Sequence, residues 1–121
     1  MKPVMVKVKI AITVEVGSCD IKGTSLQGYL SRGTRYSDIV RIFGNPQLKW
    51  KGTKDFYRAG KTQIEWIGKI NGFVFTIYDY KSGVNPKNNT DWHIGGRLKL
   101  TADLLKAYFQ TNRSKQTLSL P

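Results

Sequence analysis

The fold of this chain is decided by residues 62–80, which read TQIEWIGKINGFVFTIYDY. Two runs rich in β-branched and aromatic residues, Thr62–Ile70 and Phe73–Tyr80, flank the dipeptide Asn71-Gly72. Both turn residues tolerate a positive φ, so the pair favours a type I′ turn between antiparallel strands. The sequence therefore predicts a β-hairpin whose two-residue loop fixes the pairing of its strands.

This pairing assigns the side chains to the two faces of the hairpin. On one face we expect the ring of Phe75 to cover the bare backbone of Gly68. The expected partners on that face are Ile70 with Phe73, Gly68 with Phe75, and Trp66 with Ile77. On the second face Glu65 is expected opposite Tyr78, near Ile67 and Thr76.

Three further segments are expected to form strands or loops. Residues 4–16 alternate Val or Ile with other residues, which is the period of a long strand with one buried face. Strands usually run 3–10 residues, so its excess length predicts pairing with another copy in a homo-oligomer. Residues 18–33 are rich in Gly and Ser and are expected to be a loop. Asp91–Ile94 is expected to be a short strand, and Gly95-Gly96 a connection to the helix that follows.

Apolar spacing predicts two short helices. The first places Tyr36, Ile39, Val40 and Phe43 on one face, with Gly44 at its end. Either Thr34 or Ser37 is expected to cap its start. The last helix is expected from Thr101, as N-cap, to about Gln110, with a stripe of Leu104, Leu105, Tyr108 and Phe109.

These elements predict an α+β fold with an antiparallel sheet of about four to five strands and two short helices packed on it. We expect a single domain over residues 1–110 and a frayed basic tail over residues 111–121.

Composition narrows the class of protein. The chain has 121 residues, with 20 Lys and Arg against 8 Asp and Glu, so its net charge is +12. A single cysteine, Cys19, excludes an internal disulfide framework and a cysteine-based zinc site. No run of 18 apolar residues and no apolar signal-peptide core occurs. We therefore expect a cytoplasmic protein with an anionic partner and no membrane association.

Positive charge occurs in two clusters, Arg32, Arg35 and Arg41 and a longer stretch just downstream of them. Lys49, Lys51, Lys54, Arg58 and Lys61 are interleaved with the rings of Trp50, Phe56 and Tyr57. Cations and flat rings are the groups that bind phosphates and bases. Nucleic acid, an acidic protein, an anionic membrane surface or a phosphorylated small molecule would suit this charge, whereas an ordinary solvated face is the alternative.

The sequence gives little support for a catalytic or metal-binding site. Gly60-Lys61-Thr62 lacks the earlier glycine of a phosphate-binding loop, because Asp55 stands in its place, and a strand follows it instead of a helix. His93, the only histidine, has few carboxylates from which to build a metal site. We therefore expect no metal, no cofactor and a binding protein more readily than an enzyme.

Rings near the end of the hairpin provide the candidate stacking surface. Tyr78 and Tyr80 fall on one face of the strand, with Lys81 just beyond. Further along, Trp92 and His93 precede Gly95-Gly96-Arg97, whose amides and guanidinium could hold an anion. Each motif also has a purely structural interpretation.

An ordered set of motifs resembles a known group of proteins. The set is Leu26-Gln27-Gly28-Tyr29-Leu30, Tyr36-Ser37-Asp38-Ile39-Val40, Phe43-Gly44-Asn45-Pro46, Glu65-Trp66, Thr76-Ile77-Tyr78-Asp79-Tyr80-Lys81 and Trp92-His93-Ile94-Gly95-Gly96. Over roughly residues 26–97 the chain resembles a widespread, mostly uncharacterised family of small proteins encoded by bacteriophages. The resemblance implies a protein that antagonises host defence inside the infected cell.

The expected function follows from the charge, the rings and this resemblance. The first expectation is a sponge that sequesters a phosphorylated, nucleotide-derived immune signal, such as a cyclic nucleotide or an ADP-ribose-type molecule. Its phosphates are expected on Arg58, Lys61, Lys81 and Arg97, and its bases against Tyr78, Tyr80, Trp92 and His93. The alternative is a basic protein that binds nucleic acid or inhibits a host defence complex such as CRISPR, with Lys49, Lys51 and Lys54 as its basic patch.

Overall fold

The structure, a computed structural model, describes residues 11–49, 64–80 and 83–119, with side chains as far as residue 112. Over these residues six strands form one sheet. They are β1 (Val14–Val16), β2 (Ser25–Tyr29), β3 (Leu48–Lys49), β4 (Ile64–Ile70), β5 (Phe73–Tyr78) and β6 (His93–Gly96). The helices are α1 (Tyr36–Phe43) and α2 (Lys99–Ser119), with a 3₁₀ turn at Pro86–Asn88. This is the predicted α+β fold.

The strands are arranged in the order β1-β4-β5-β6-β2, and every neighbouring pair is antiparallel. β3 pairs with the first residues of β4, whereas β1 pairs with its last residues, so the two share one side of that strand. The hairpin β4–β5 therefore lies at the centre of the sheet. β2, which pairs with β6, ends the sheet on the other side.

The hairpin is confirmed in its turn and in its register. Asn71 and Gly72 have φ values of 49° and 80°, as a type I′ turn requires. The six cross-strand pairs run from Ile70 opposite Phe73 to Glu65 opposite Tyr78. A Cβ at Gly68 would lie 2.8 Å from the ring of Phe75, so this ring does cover the glycine backbone.

Both helices pack on the same face of the sheet. The core contains Trp66, Phe75, Ile77 and Ile94 from the sheet together with side chains of both helices. These sheet residues alternate with the row formed by Glu65, Tyr78 and His93. Because successive residues of a strand point to opposite faces, that row lies on the face away from the helices.

Two indole hydrogen bonds attach α1 to the sheet at both of its ends. Trp66 Nε1 donates to the carbonyl of Gly44 (2.8 Å), just after the helix, and Trp92 Nε1 donates to the carbonyl of Thr34 (3.0 Å), just before it. The ring of Tyr36 contacts both indoles. The sheet therefore fixes the position of this two-turn helix.

The predicted bounds of α1 are confirmed, but its predicted cap is wrong. Arg35 occupies the N-cap position, and its backbone N–H donates to the Asp38 carboxylate (2.9 Å). Thr34 instead donates its hydroxyl to the carbonyl of Ser31 (2.7 Å). The end of the helix is as predicted, since Gly44 has a φ of 82°.

Three predicted boundaries are corrected. β2 lies inside the segment predicted as loop, because its glycine and polar residues carry no alternation and the strand forms only by pairing with β6. The strand predicted at Asp91–Ile94 is β6, which begins two residues later and includes both glycines. α2 begins before Thr101, which is inside the helix and is not its cap, and its backbone stays helical through the predicted frayed tail to Ser119. α2 is thus not a short helix.

The predicted long first strand lies mostly outside the described residues. Of the predicted strand, the structure describes residues 11–16. Val14–Val16 forms a strand there, and residues 11–13 do not. Ile12 and Val14 pack on the core, as the alternation predicts, whereas Val16 is exposed. The homo-oligomer inferred from this strand stays a prediction.

Candidate ligand-binding site

A row of side chains crosses four strands on the face away from the helices. Direct cross-strand pairing places Glu65 opposite Tyr78, Tyr78 opposite His93, and His93 opposite Tyr29. Tyr80 follows Tyr78 on the same face. We call Tyr29, Tyr78, Tyr80 and His93 the ring row.

The imidazole of His93 is at the centre of the ring row. Its centroid lies 4.9 Å from that of Tyr29, 5.4 Å from Tyr78 and 5.6 Å from Tyr80. Tyr29 and Tyr80 keep 47% and 38% of their surface exposed. His93 and Tyr78 are half-buried between them. The ring row therefore presents two exposed phenol rings, supported by two inner rings.

A glycine next to the row makes room for it. A Cβ at Gly95 would collide with Thr76 Oγ1 and lie 3.3 Å from Tyr78 Cε1. Gly96 faces the opposite side, where a Cβ would lie 3.2 Å from the side chain of Thr101 in α2. Packing within the chain accounts for both glycines, so they give no support to the anion site expected at this dipeptide.

Two carboxylates, Glu65 and Asp91, border the ring row. Burial, and then the negative charge of Asp79, raise the pKa of Glu65. Burial, followed by the neighbouring Glu65, raises the pKa of the Tyr78 hydroxyl, which therefore remains a hydrogen-bond donor. Asp91 lies beside the central imidazole, with its Oδ2 3.9 Å from His93 Nε2. The row thus combines flat rings with acceptor and donor groups.

An open cavity of about 400 Å³ continues from the exposed end of the row. Its described lining consists of Tyr29, Leu30, Arg32 and Asp91. A second cavity, of about 280 Å³, lies between α2 and the loop before α1 and is lined by Leu30, Ser31, Thr34, Lys106, Phe109 and Gln110. Only the first cavity contains a residue of the ring row.

Two of the expected ligand-binding residues have other partners. Trp92 is 1% exposed, and its indole N–H is used by Thr34, so this ring is not accessible to a base. Arg97 Nε donates to the carbonyl of Lys22 (2.9 Å) and Nη2 to that of Asp20 (3.1 Å). Arg97 is also four residues beyond His93, roughly 13 Å along an extended chain. Arg97 therefore stabilises the loop before β2 and is not part of the ring row.

The other expected residues divide into two groups. The rings of Tyr78, Tyr80 and His93 contact one another, and their role in base stacking stays a prediction. Lys49 is exposed on β3. The remaining expected cations, Arg58, Lys61, Lys81, Lys51 and Lys54, lie outside the described residues.

The sequence interpretation missed Tyr29 as a member of the site. Tyr29 stands in a segment predicted as loop, so nothing assigned it to a sheet face. The available signal was its position in Leu26-Gln27-Gly28-Tyr29-Leu30, the first of the motifs on which the resemblance depends. Arg32 belongs to an arginine-rich part of the sequence that gives no sign of a sheet face, and its place beside Tyr29 follows only from the fold.

The described residues contain no group of three or more His, Cys, Asp or Glu side chains that could hold a metal ion. In the same part of the chain, every helix is too short or too polar to cross a membrane. Comparisons with models of known families, with curated proteins and with solved structures found no match.

Proposed function

We propose that this protein binds single-stranded nucleic acid on the ring row, with bases stacked on Tyr29 and Tyr80. The proposal rests mainly on one observation, the two exposed phenol rings at one part of the face away from the helices. Elsewhere on that face Ile67 and Thr76 are buried, so the rings mark its accessible part. Proteins that bind single strands commonly stack bases on aromatic side chains of an open sheet. A base that stacks on the outer rings can also bond to the imidazole and hydroxyl groups between them.

The distribution of charge favours a polymer over an enclosed small molecule. Within the described residues the exposed cations are spread over several elements, namely Lys22, Arg32, Arg35, Arg41, Lys49, Lys69, Lys87, Arg97, Lys99 and Lys106. A strand of phosphates can use such a distributed field, because each contact releases counterions. A sponge pocket would need several cations around one cavity. Among the described residues that line the cavity beside Tyr29, Arg32 is the only cation.

Sequestration of a nucleotide signal is the second candidate function. The observation in its favour is the cavity itself, whose volume of about 400 Å³ falls within the range of small-molecule sites. Tyr29 would stack the base there and Arg32 would bind a phosphate. In both candidates the resemblance to phage proteins provides the biological role, which is to compete with a host defence system for its nucleic acid or its signal.

The test is a titration of fluorescent single-stranded oligouridine with the full-length protein. We expect Tyr29→Ala and Tyr80→Ala each to weaken binding about tenfold, since stacking is worth about 1–3 kcal/mol per base. Leu100→Ala is the control, because Leu100 is an exposed apolar residue at the start of α2, away from the row. Circular dichroism checks that the variants remain folded. Absence of binding by the unmodified protein, or equal affinity of the folded tyrosine variants, would overturn the proposal.

A further inference from the structure

A carboxylate projects into solvent where the ring row meets the cavity. The Asp91 side chain is 75% exposed, and its Oδ2 is 3.9 Å from His93 Nε2. It shares the lining of the cavity with Tyr29 and Arg32. An acidic group at this place is unexpected in a chain with a net charge of +12 that binds a polyanion.

The backbone of Asp91 is held by hydrogen bonds to the buried side chain of Asn89. Asn89 is 4% exposed. Its side-chain amide donates to the carbonyl of Asp91 (2.9 Å), and its Oδ1 accepts from the N–H of Asp91 (3.1 Å). The buried amide thus fixes both backbone groups of the residue whose side chain reaches the ring row. A side chain on a rigid support is suited to recognition, because little conformational freedom is lost on binding.

The chemistry of a carboxylate restricts what it can bind. An ionised carboxylate only accepts hydrogen bonds, and it repels phosphate. Next to a stacked base it therefore requires a donor edge. Guanine offers two adjacent donors, N1–H and the N2 amino group, which match the two carboxylate oxygens, whereas adenine, cytosine and uracil each offer one donor group on that edge.

We infer that the cavity beside Tyr29 recognises guanine, whose donor edge pairs with Asp91 while its ring stacks on Tyr29. Arg32, on the same cavity, binds the phosphate of that nucleotide. This inference rests on the proposed binding of nucleobases by the ring row and adds the identity of the base. It applies equally to a guanine within a single strand and to a free guanine nucleotide.

The test compares pentanucleotides of sequence UUGUU and UUAUU, together with GMP and AMP. For the unmodified protein we expect the guanine strand to bind about tenfold more tightly, or better, since a good bidentate contact to a base is worth about 1–3 kcal/mol. Asp91→Asn should reduce this ratio to about twofold or less, and it should not weaken binding of UUAUU, because it also removes a charge that repels phosphate. Asp103→Asn is the matched control, because Asp103 is an exposed carboxylate on α2.

The outcomes separate this inference from the function on which it depends. If the unmodified protein shows no guanine preference with either the strands or the nucleotides and Tyr29→Ala weakens strand binding, base stacking stands and the guanine inference fails. If neither strand nor nucleotide binds, both fail. A guanine preference seen with GMP but not with the strand assigns the site to a free nucleotide, and a preference that survives Asp91→Asn refutes the role of Asp91.

Discussion

At the scale of single residues, one buried polar group lowers the stability of the folded protein. Thr101 is 1% exposed and its Oγ1 has no hydrogen-bond partner within the described residues. A buried hydroxyl without a partner loses its bonds to water and gains none in return. The sequence suggested a capping role for this threonine, in which the same oxygen would have been satisfied. The methyl-bearing side chain is instead used to pack against Gly96.

Thr101→Val should therefore stabilise the protein. Valine has nearly the same shape but no hydroxyl, so we expect the free energy of unfolding to rise by about 1 kcal/mol. Urea denaturation followed by circular dichroism measures the change. Thr111→Val is the control, because the Thr111 hydroxyl is exposed and donates to the carbonyl of Ala107 (2.9 Å). A loss of stability in Thr101→Val would show that the hydroxyl has a partner.

Glu65 gives a residue-scale prediction about pH. Its pKa in the folded protein is raised above its ordinary value of 4.5. At pH values between these two, the folded state therefore holds a proton that the unfolded chain releases. Stability from this group is present below about pH 4.5 and is lost as the pH rises through the folded pKa. Glu65→Gln should thus unfold at a higher urea concentration than the unmodified protein at pH 7, and at nearly the same concentration at pH 4.

Glu15→Gln is the control for that measurement. Glu15 is an exposed glutamate on β1, opposite Lys69 in the sheet. We expect the urea midpoint of Glu15→Gln to follow that of the unmodified protein at both pH values. A Glu65→Gln variant that is less stable than the unmodified protein at pH 7 would mean that the charged form of Glu65 is the favoured one.

At the scale of elements, the hairpin was predictable and the edge strand was not. Asn71-Gly72 determines β4 and β5 through backbone conformation alone, so a local sequence signal suffices. β2 has no such signal, because its bulge between Leu26 and Gly28 breaks the alternation and its partners come from the far end of the chain. Tyr29 was missed for the same reason. The sequence could place Tyr78, Tyr80 and His93 in strands, but their convergence depends on the pairing of β5 with β6.

α1 shows how the sheet controls an element that is too short to be stable alone. Helices of two turns are marginal in water, so the indole bonds at its two ends and the buried Ile39 and Phe43 must hold it. Trp66→Phe keeps a ring in the core but removes the donor to the carbonyl of Gly44 and, because Trp66 is fully buried, leaves part of the indole volume unfilled. We expect a loss of about 1–3 kcal/mol in the free energy of unfolding, measured by urea denaturation.

Tyr108→Phe is the matched control for Trp66→Phe. The Tyr108 ring stacks on Phe43 with centroids 5.8 Å apart, and phenylalanine keeps this contact. We expect its stability to change by less than about 0.5 kcal/mol. If Trp66→Phe were as stable as the unmodified protein, the bond to Gly44 would contribute nothing to the position of α1.

At the scale of the whole molecule, a net charge of +12 attracts any polyanion, so charge alone does not identify a ligand. The sequence indicated the sign of the partner but not the place where it binds. The fold separates some of the expected groups, since Arg97 donates to loop carbonyls and Trp92 is buried in the core. It brings other residues to one place, since Arg32 and Asp91 line the same cavity as Tyr29. Cations distributed over the surface and rings gathered on one face should therefore contribute to binding in different ways.

Salt distinguishes these two contributions. For single-stranded RNA held by three to five phosphate contacts, the logarithm of affinity should fall with the logarithm of salt concentration with a slope of about −2 to −3.5. Arg32→Gln should make the slope less steep by about 0.7, the value of one phosphate contact. Tyr80→Ala should instead lower the affinity at every salt concentration and leave the slope unchanged, because stacking releases no counterions. Fluorescence titrations from low to high salt measure all three slopes, and a slope near zero for the unmodified protein would exclude an extended phosphate backbone as its ligand.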